Sequence, residues 1–170
     1  MARAQRFHVT QVNIGLPRAP LDSPELVEFV ELLEPFDAIA DDSPGFVWRL
    51  QTEDGHATAV RVFGDDRLIV NMSVWSSLEA LGAFVYRTAH SGVMRRRREW
   101  FQKMPELFTA LWWIPAGSLP TVSDAEERLD HLRRHGPSAE AFTFREPFPP
   151  PGSDEEIHRA TPADRWLCPS

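Results

Sequence analysis

The chain has 170 residues, of which 42% are hydrophobic and 25% charged, so it is long enough for one domain with a substantial core. Its formal net charge of -7 argues against a nucleic-acid-binding protein, because neutralising phosphates requires a basic surface. The single cysteine, Cys168, excludes an intramolecular disulfide, and the lack of a long apolar segment or signal-peptide pattern predicts a cytoplasmic protein without a membrane span.

The N-terminal part of the chain predicts a strand followed by a helix. Phe7 to Ile14 alternates between two faces, as a strand does, and which face points inward is left open. Ser23 before Pro24 is a typical helix start and predicts a helix from about Pro24 to Ile39. We expect the buried side of this helix to contain Leu26, Phe29, Val30 and Leu33.

A second strand is predicted after the first helix. The sequence DDSPG, at Asp41 to Gly45, ends the helix, and Phe46 to Gln51 alternates as a strand does. Trp48 and Arg49 are neighbours in this strand, so their side chains point to opposite faces. The strand therefore presents an aromatic face and a charged one.

The segment from Leu68 to Phe101 is the most informative part of the chain. Its first eight residues alternate as a third strand, with Asn71 and Ser73 on one face among apolar neighbours. A helix capped by Ser76 or Ser77 follows, with apolar residues at helical spacing. The segment predicts a pocket between the sheet and this helix.

The rest of the chain predicts two helices around one strand, followed by a tail. An amphipathic helix continues to about Met104, the apolar run from Phe108 to Ile114 predicts a buried strand, and Thr121 to Arg134 predicts a further helix. Prolines and acidic residues then dominate. We therefore predict one domain over residues 1–146 and a Pro-rich acidic C-terminal tail over residues 147–170.

Three residues are candidates for catalysis. His90, with an ordinary pKa of about 6.5, suits a general acid or base, and Tyr86 lies one helical turn before it. Asn71 could stabilise an oxyanion through its amide group. Structural alternatives stay open for each: a helix-end histidine bonded to a carbonyl, a tyrosine at a dimer interface and an asparagine satisfied within the sheet.

A second set of residues is predicted to bind the ligand. Arg97, within the run Arg95 to Arg98, is our candidate for an arginine that turns inward to an anionic ligand group, whereas such a run is otherwise a solvated face. The tryptophans suit a flat apolar ligand but also suit a core or a dimer interface. The predicted substrate-binding residues are Asn13, Trp48, Trp75, Arg87, Arg97 and Trp112.

No metal site or nucleotide-binding motif is predicted. The six histidines lack the spacings of metal-binding motifs, and His131 and His135, although one turn apart, lie on a charged helix. Glycine-rich phosphate loops and the serine elbow of hydrolases have no counterpart.

Six motifs together resemble one known family. They are QVNIG at 11–15, SPGFVWRLQ at 43–51, VNMSVW at 70–75, FVYRTAH at 84–90, RRRREWF at 95–101 and ALWWIPAG at 110–117. The chain resembles, over residues 7–145, a domain-of-unknown-function family of the dimeric α/β-barrel superfamily, related to antibiotic-biosynthesis monooxygenases. The resemblance and the β-α-β-β-α-β order predict an α+β, ferredoxin-like antiparallel sheet covered by helices. It also implies a homodimer, in which two subunits form a dimeric α/β barrel, and an apolar pocket in each.

The superfamily offers three functional models: cofactor-independent oxygenation of aromatic substrates, haem binding or degradation, and isomerase or cyclase chemistry. Haem-degrading relatives place an asparagine on the first strand, a tryptophan in the helix after the third strand and a histidine near the end of that helix. Asn13 and His90 are similar to the first and third. Phe84 stands at the tryptophan position, which argues against haem degradation.

The preferred hypothesis is a small cofactor-independent, monooxygenase-like enzyme acting on an apolar aromatic or polyketide-type metabolite. In it, His90 removes a proton, Tyr86 and Asn71 hold the oxyanion, and Arg87 fixes a polar substituent. The alternative is a protein that binds haem or another hydrophobic small molecule without turnover, with His90 as the axial haem ligand. A structural or regulatory dimer without a ligand is the third hypothesis.

Overall fold

The structure, a computed structural model, describes residues 5–51, 61–90 and 96–153, except for the side chains of Ala89 and His90. The strands are β1 (Phe7–Gly15), β2 (Phe46–Arg49), β3 (Ile69–Trp75) and β4 (Thr109–Pro115). A 3-10 turn (Pro24–Leu26) leads into α1 (Val27–Asp41), and the other helices are α2 (Leu78–His90), α3 (Arg97–Trp100) and α4 (Val122–His135).

The four strands form one sheet in the order β2-β3-β1-β4, and every neighbouring pair is antiparallel. This order, with α1 after β1 and α2 after β3, is the ferredoxin-like arrangement, so the predicted α+β subunit fold is confirmed. Among the described residues, no helix is long and apolar enough to cross a membrane.

Local sequence signals explain where α4 begins and ends. The Thr121 hydroxyl accepts a hydrogen bond from the Asp124 amide at 3.1 Å, and the Asp124 carboxylate accepts one from the Thr121 amide at 2.7 Å. This reciprocal pair satisfies amide groups that would otherwise lack partners at a helix start. Gly136, at a φ of 74°, ends the helix in a conformation that favours glycine.

One of the four residues predicted on the buried side of the first helix is exposed. Leu26 is fully buried and Phe29 and Leu33 are half-buried, but Val30 is 40% exposed. The helix packs on the sheet through Phe36 and Ala40 in its second half. Val30 is therefore left on the outer side of the helix.

Helices cover both faces of the sheet. One face, here called the cavity face, carries Gln11, Asn13, Asn71 and Ser73 and lies under α1 and α2. The other, here called the α4 face, packs against Ala125, Leu129 and Leu132 of α4. The buried residues of the α4 face include Val12, Ile14, Val70, Met72, Ala110 and Trp112.

The coverage by α4 bears on how two subunits could associate. In a dimeric α/β barrel the open sheet faces of two subunits pack together, whereas α4 covers that face here. Val12 and Trp112, near its centre, are 0% and 1% exposed. A barrel formed on this face would require α4 to leave it.

The homodimer itself stays a prediction that rests on the family resemblance. We expect light scattering to give twice the mass of one chain at micromolar concentration. Since α4 covers the sheet, the contact would use another surface of the subunit. A monomeric mass at those concentrations would contradict the prediction.

The chain after α4 returns to the sheet. Phe142 exchanges two backbone hydrogen bonds with Leu111 of β4, both at 2.9 Å. Further on, the carbonyl of Phe148 accepts a hydrogen bond from the Trp113 indole at 2.8 Å. The first residues of the predicted tail are thus attached to the domain, while the rest of it, including Cys168, lies outside the described residues.

Candidate functional site

A cavity of about 180 Å³ lies between the cavity face of the sheet and the helices α1, α2 and α3. Helix α1 forms one wall, while Phe84, Val85 and Thr88 of α2 and Trp100 of α3 contribute others. The sheet provides the floor. This is the sheet-helix pocket that the sequence around β3 and α2 predicts.

Aromatic rings make up much of the cavity wall and join its elements. Phe29 of α1 contacts Trp100 of α3 at 5.6 Å between ring centroids and meets Phe101 edge-on at 5.0 Å. Phe36, two turns further along α1, packs edge-on against Phe84 of α2 at 5.7 Å. An apolar wall with few polar groups is the usual lining of a small-molecule site.

Two asparagines face each other across the floor. Asn13 of β1 and Asn71 of β3 are direct partners in the antiparallel register, and both line the cavity. The Asn13 amide donates to the Thr109 hydroxyl at 3.0 Å, which fixes its orientation. Asn71 is exposed at the rim, and its side chain forms no hydrogen bond with another described residue. Its amide group is therefore available to a ligand.

Arg97 turns inward from α3 to line the cavity. Its guanidinium donates to the Asn13 side-chain oxygen at 3.2 Å and to the Ile14 carbonyl at 3.3 Å. The rings of Phe101 and Phe108 lie 5.0 Å and 4.8 Å from the guanidinium carbon, within cation-π distance. Burial lowers the pKa of Arg97, but a guanidinium remains charged at any physiological pH.

Gly15 makes room for this arginine at the end of β1. A Cβ atom at this position would lie 2.7 Å from the Phe101 ring and 3.3 Å from the Arg97 guanidinium. Real Cβ atoms do not approach a ring carbon so closely, so any side chain here would displace Phe101. The close approach of Phe101 and Arg97 to the strand therefore depends on glycine at position 15.

A second arginine of the lining, Arg49, has its charge compensated. It contacts Asp37 at 3.2 Å and Asp41 at 2.8 Å, and both carboxylates belong to α1. The hydrogen bond to Asp41 is the main cause of the raised pKa of Arg49. These ion pairs tie α1 to β2 at one side of the cavity, and the two carboxylates more than balance the charge of Arg49.

Three of the predicted site residues come together in the cavity, namely Asn13, Asn71 and Arg97. The backbone of His90 ends α2, but its side chain lies outside the described residues. Tyr86 is 51% exposed and does not line the cavity. Arg87 is also exposed and donates to the Ser43 hydroxyl at 3.4 Å.

The three predicted tryptophans lie outside the cavity lining. Trp48 and Trp112 pack in the core of the α4 face, because the strand alternation puts them opposite the cavity face. Trp75 is on the correct face but is fully buried behind the wall, where it stacks on Phe84 at 4.9 Å. The tryptophan that does line the cavity is Trp100 of α3.

The contribution of α1 to the cavity wall was not predicted from the sequence. Phe29 and Phe36 are seven residues apart, a spacing that puts both on one side of a helix, and Asp37 follows directly. This spacing could have predicted that α1 provides an aromatic wall of the cavity. The pairing of Asp37 with Arg49 joins two elements and has no local sequence signature.

Comparison with known proteins gives a family for the chain. Residues 8–159 match the model of the family described as Domain of unknown function (DUF3291). The chain belongs to this family. The match extends past residue 146, where the sequence predicts the domain to end. No curated protein matches the chain.

Among solved structures, the chain is similar to SnoaB, a cofactor-independent oxygenase from Streptomyces nogalater. That crystal structure is 19% identical, with a TM-score of 0.43, and the match covers 67% of this chain and 98% of that chain. A mutant of SnoaB matches over the same shares of the two chains, with 20% identity and a TM-score of 0.41.

Proposed function

We propose that this protein is a small enzyme that oxygenates an apolar aromatic metabolite without a cofactor. The observation that carries the proposal is the cavity of about 180 Å³, with aromatic walls and a floor of amide groups. A protein cavity of about 150 Å³ is large enough for benzene, so this cavity suits a ligand with one or two rings. The predicted polyketide-type substrate would have to be a small one or to extend out past the rim.

The proposed reaction begins with loss of a proton from an acidic C–H group or a phenol. The electron-rich anion then reacts with dioxygen. For a methylene group, one oxygen atom ends in a new carbonyl group and the other leaves as water, so that the substrate itself supplies the electrons. In this proposal, Asn71 donates a hydrogen bond to the oxyanion from the rim of the cavity.

His90 is the proposed base in this reaction. It ends α2, the helix that provides Phe84, Val85 and Thr88 to the cavity. An imidazole is suited to proton removal near neutral pH. The roles predicted for Tyr86 and Arg87 have less support, since both side chains are exposed and neither lines the cavity.

Binding without turnover is the second candidate function. It is favoured by Arg97, a cation of the lining that can hold an anionic ligand but cannot act as a base at physiological pH. Haem fits this cavity poorly, because a tetrapyrrole is several times larger than the benzene that a cavity of about 150 Å³ admits.

The experiment is oxygen uptake by the purified protein with a panel of small phenols and enolisable aromatic ketones. We expect at least one compound to consume dioxygen and to gain one oxygen atom while losing two hydrogen atoms, as measured by mass spectrometry. Binding of panel members without oxygen uptake would favour the second candidate. A haem absorbance band in the protein as purified would contradict both the size argument and the proposed lack of a cofactor.

A further inference from the structure

Arg97 differs from the other arginines near the cavity in what surrounds its charge. Arg49 pairs with Asp37 and Asp41, and Arg96, directly before Arg97, pairs with Glu28 and Glu99. Among the described residues, no carboxylate lies within ion-pair distance of Arg97. Its described partners are a neutral amide oxygen, a backbone carbonyl and two rings.

This arrangement favours an anion in the cavity. Arg97 is partly buried, and withdrawing a charge from water is unfavourable when no opposite charge replaces the water. The chain carries 25 acidic residues, any of which could in principle have supplied a carboxylate partner for Arg97. The charge instead faces a cavity whose one described carboxylate, that of Asp37, is paired with Arg49.

The surroundings of Arg97 also hold it in a fixed orientation. A guanidinium has five N–H groups, and the described partners Asn13 and Ile14 each take one of them. Asn13 is itself held by Thr109, so it acts as a positioning residue for the arginine. The flat guanidinium therefore lies between β1 and the rings of Phe101 and Phe108. Its remaining N–H groups can bind a planar acceptor.

We propose that Arg97 is the recognition site for a carboxylate on the aromatic ligand, so that the natural ligand is an aromatic carboxylic acid. This inference rests on the proposed function in that both use the same cavity. A carboxylate matches the guanidinium in shape and carries one negative charge, which one arginine balances. A phosphate, with nearly two charges at neutral pH, would leave excess negative charge among apolar walls.

The test uses two probes of nearly the same shape, 2-naphthoate and the uncharged 2-naphthamide, with binding measured by calorimetry. We expect the wild-type protein to bind the acid at least about 10-fold more tightly than the amide, because a hydrogen bond to a charged group is stronger than one to a neutral group. The Arg97→Met variant should bind both with similar affinity. Arg97→Lys, which keeps the charge but not the planar shape, should retain part of the preference.

Arg98→Met is the matched control. Arg98 is the next residue of the same short helix and its side chain is exposed. Its backbone carbonyl accepts a hydrogen bond from Arg18. This variant should keep the full preference for the acid. The melting temperature of each variant shows whether a lost preference comes with lost folding.

The outcomes separate this inference from the proposed function. Equal affinity of the wild-type protein for acid and amide overturns the carboxylate site while leaving the aromatic cavity intact. A preference that survives in Arg97→Met also overturns it. If neither probe binds, the cavity is not a site for aromatic ligands, and both proposals fail together. The wild-type comparison remains decisive even if Arg97→Met does not fold.

Discussion

Trp75→Ala is expected to lower the free energy of unfolding by about 3–5 kcal/mol, the range for removing a large buried aromatic side chain. Trp75 is 0% exposed, stacks on Phe84 at 4.9 Å and meets Phe46 edge-on at 5.5 Å. Because Phe84 lines the cavity, the same change also removes the support of the wall. Urea denaturation, monitored by circular dichroism, measures the effect.

Two further variants divide the effect of Trp75 into its parts. Trp75→Phe keeps a ring in the core but loses the hydrogen bond from the indole to the Ser73 hydroxyl, which is 2.9 Å long. Ser73→Ala leaves the indole N–H buried without that partner, at a cost of about 1–3 kcal/mol. Both should be milder than Trp75→Ala. A loss below about 1 kcal/mol for Trp75→Ala would show that Trp75 is not a central core residue.

The second large effect is expected on catalysis. Once a turned-over substrate is known from the oxygen-uptake panel, His90→Ala should reduce turnover by about 10²-fold or more if His90 is the general base. Its melting temperature should stay close to that of the wild type. Steady-state kinetics over a range of pH provide the measurement, because removing the base should also remove the pH dependence that it causes.

His135→Ala is the matched control for this prediction. His135 is exposed in the last turn of α4, on the side of the sheet opposite the cavity. Its replacement should leave turnover unchanged. If His90→Ala is as active as His135→Ala, His90 is not the base, and the substrate would have to lose its proton without help from this residue.

The fold was largely predictable because its signals are periodic. The alternation in β3 and the helical spacing in α2 defined the central unit, and the family motifs supplied the order of strands. The role of α4 was not predictable in the same way. Leu129 and Leu132 form only a narrow apolar edge on a charged helix, and nothing local shows that this edge fits the second face of the sheet.

The candidate site was predictable in some of its polar residues and not in its aromatic ones. Asn13 and Asn71 stood out as polar residues among apolar neighbours, and Arg97 was chosen because four consecutive helical arginines point in different directions. Alternation shows that Trp48 and Arg49 lie on opposite faces, but it does not show which face is hollow. Which face holds the cavity depends on the size of Phe29 and Phe36 on α1, and therefore on how this helix packs against the sheet.

The position of α4 has a consequence for shortened versions of this protein. A chain that stops after β4 would uncover the α4 face, including Trp112 and Met72, which are each 1% exposed in the full subunit. A broad apolar sheet surface of this kind drives association with other chains. Such a fragment would self-associate even if the complete protein were a monomer, so the oligomeric state of fragments cannot stand for that of the whole chain.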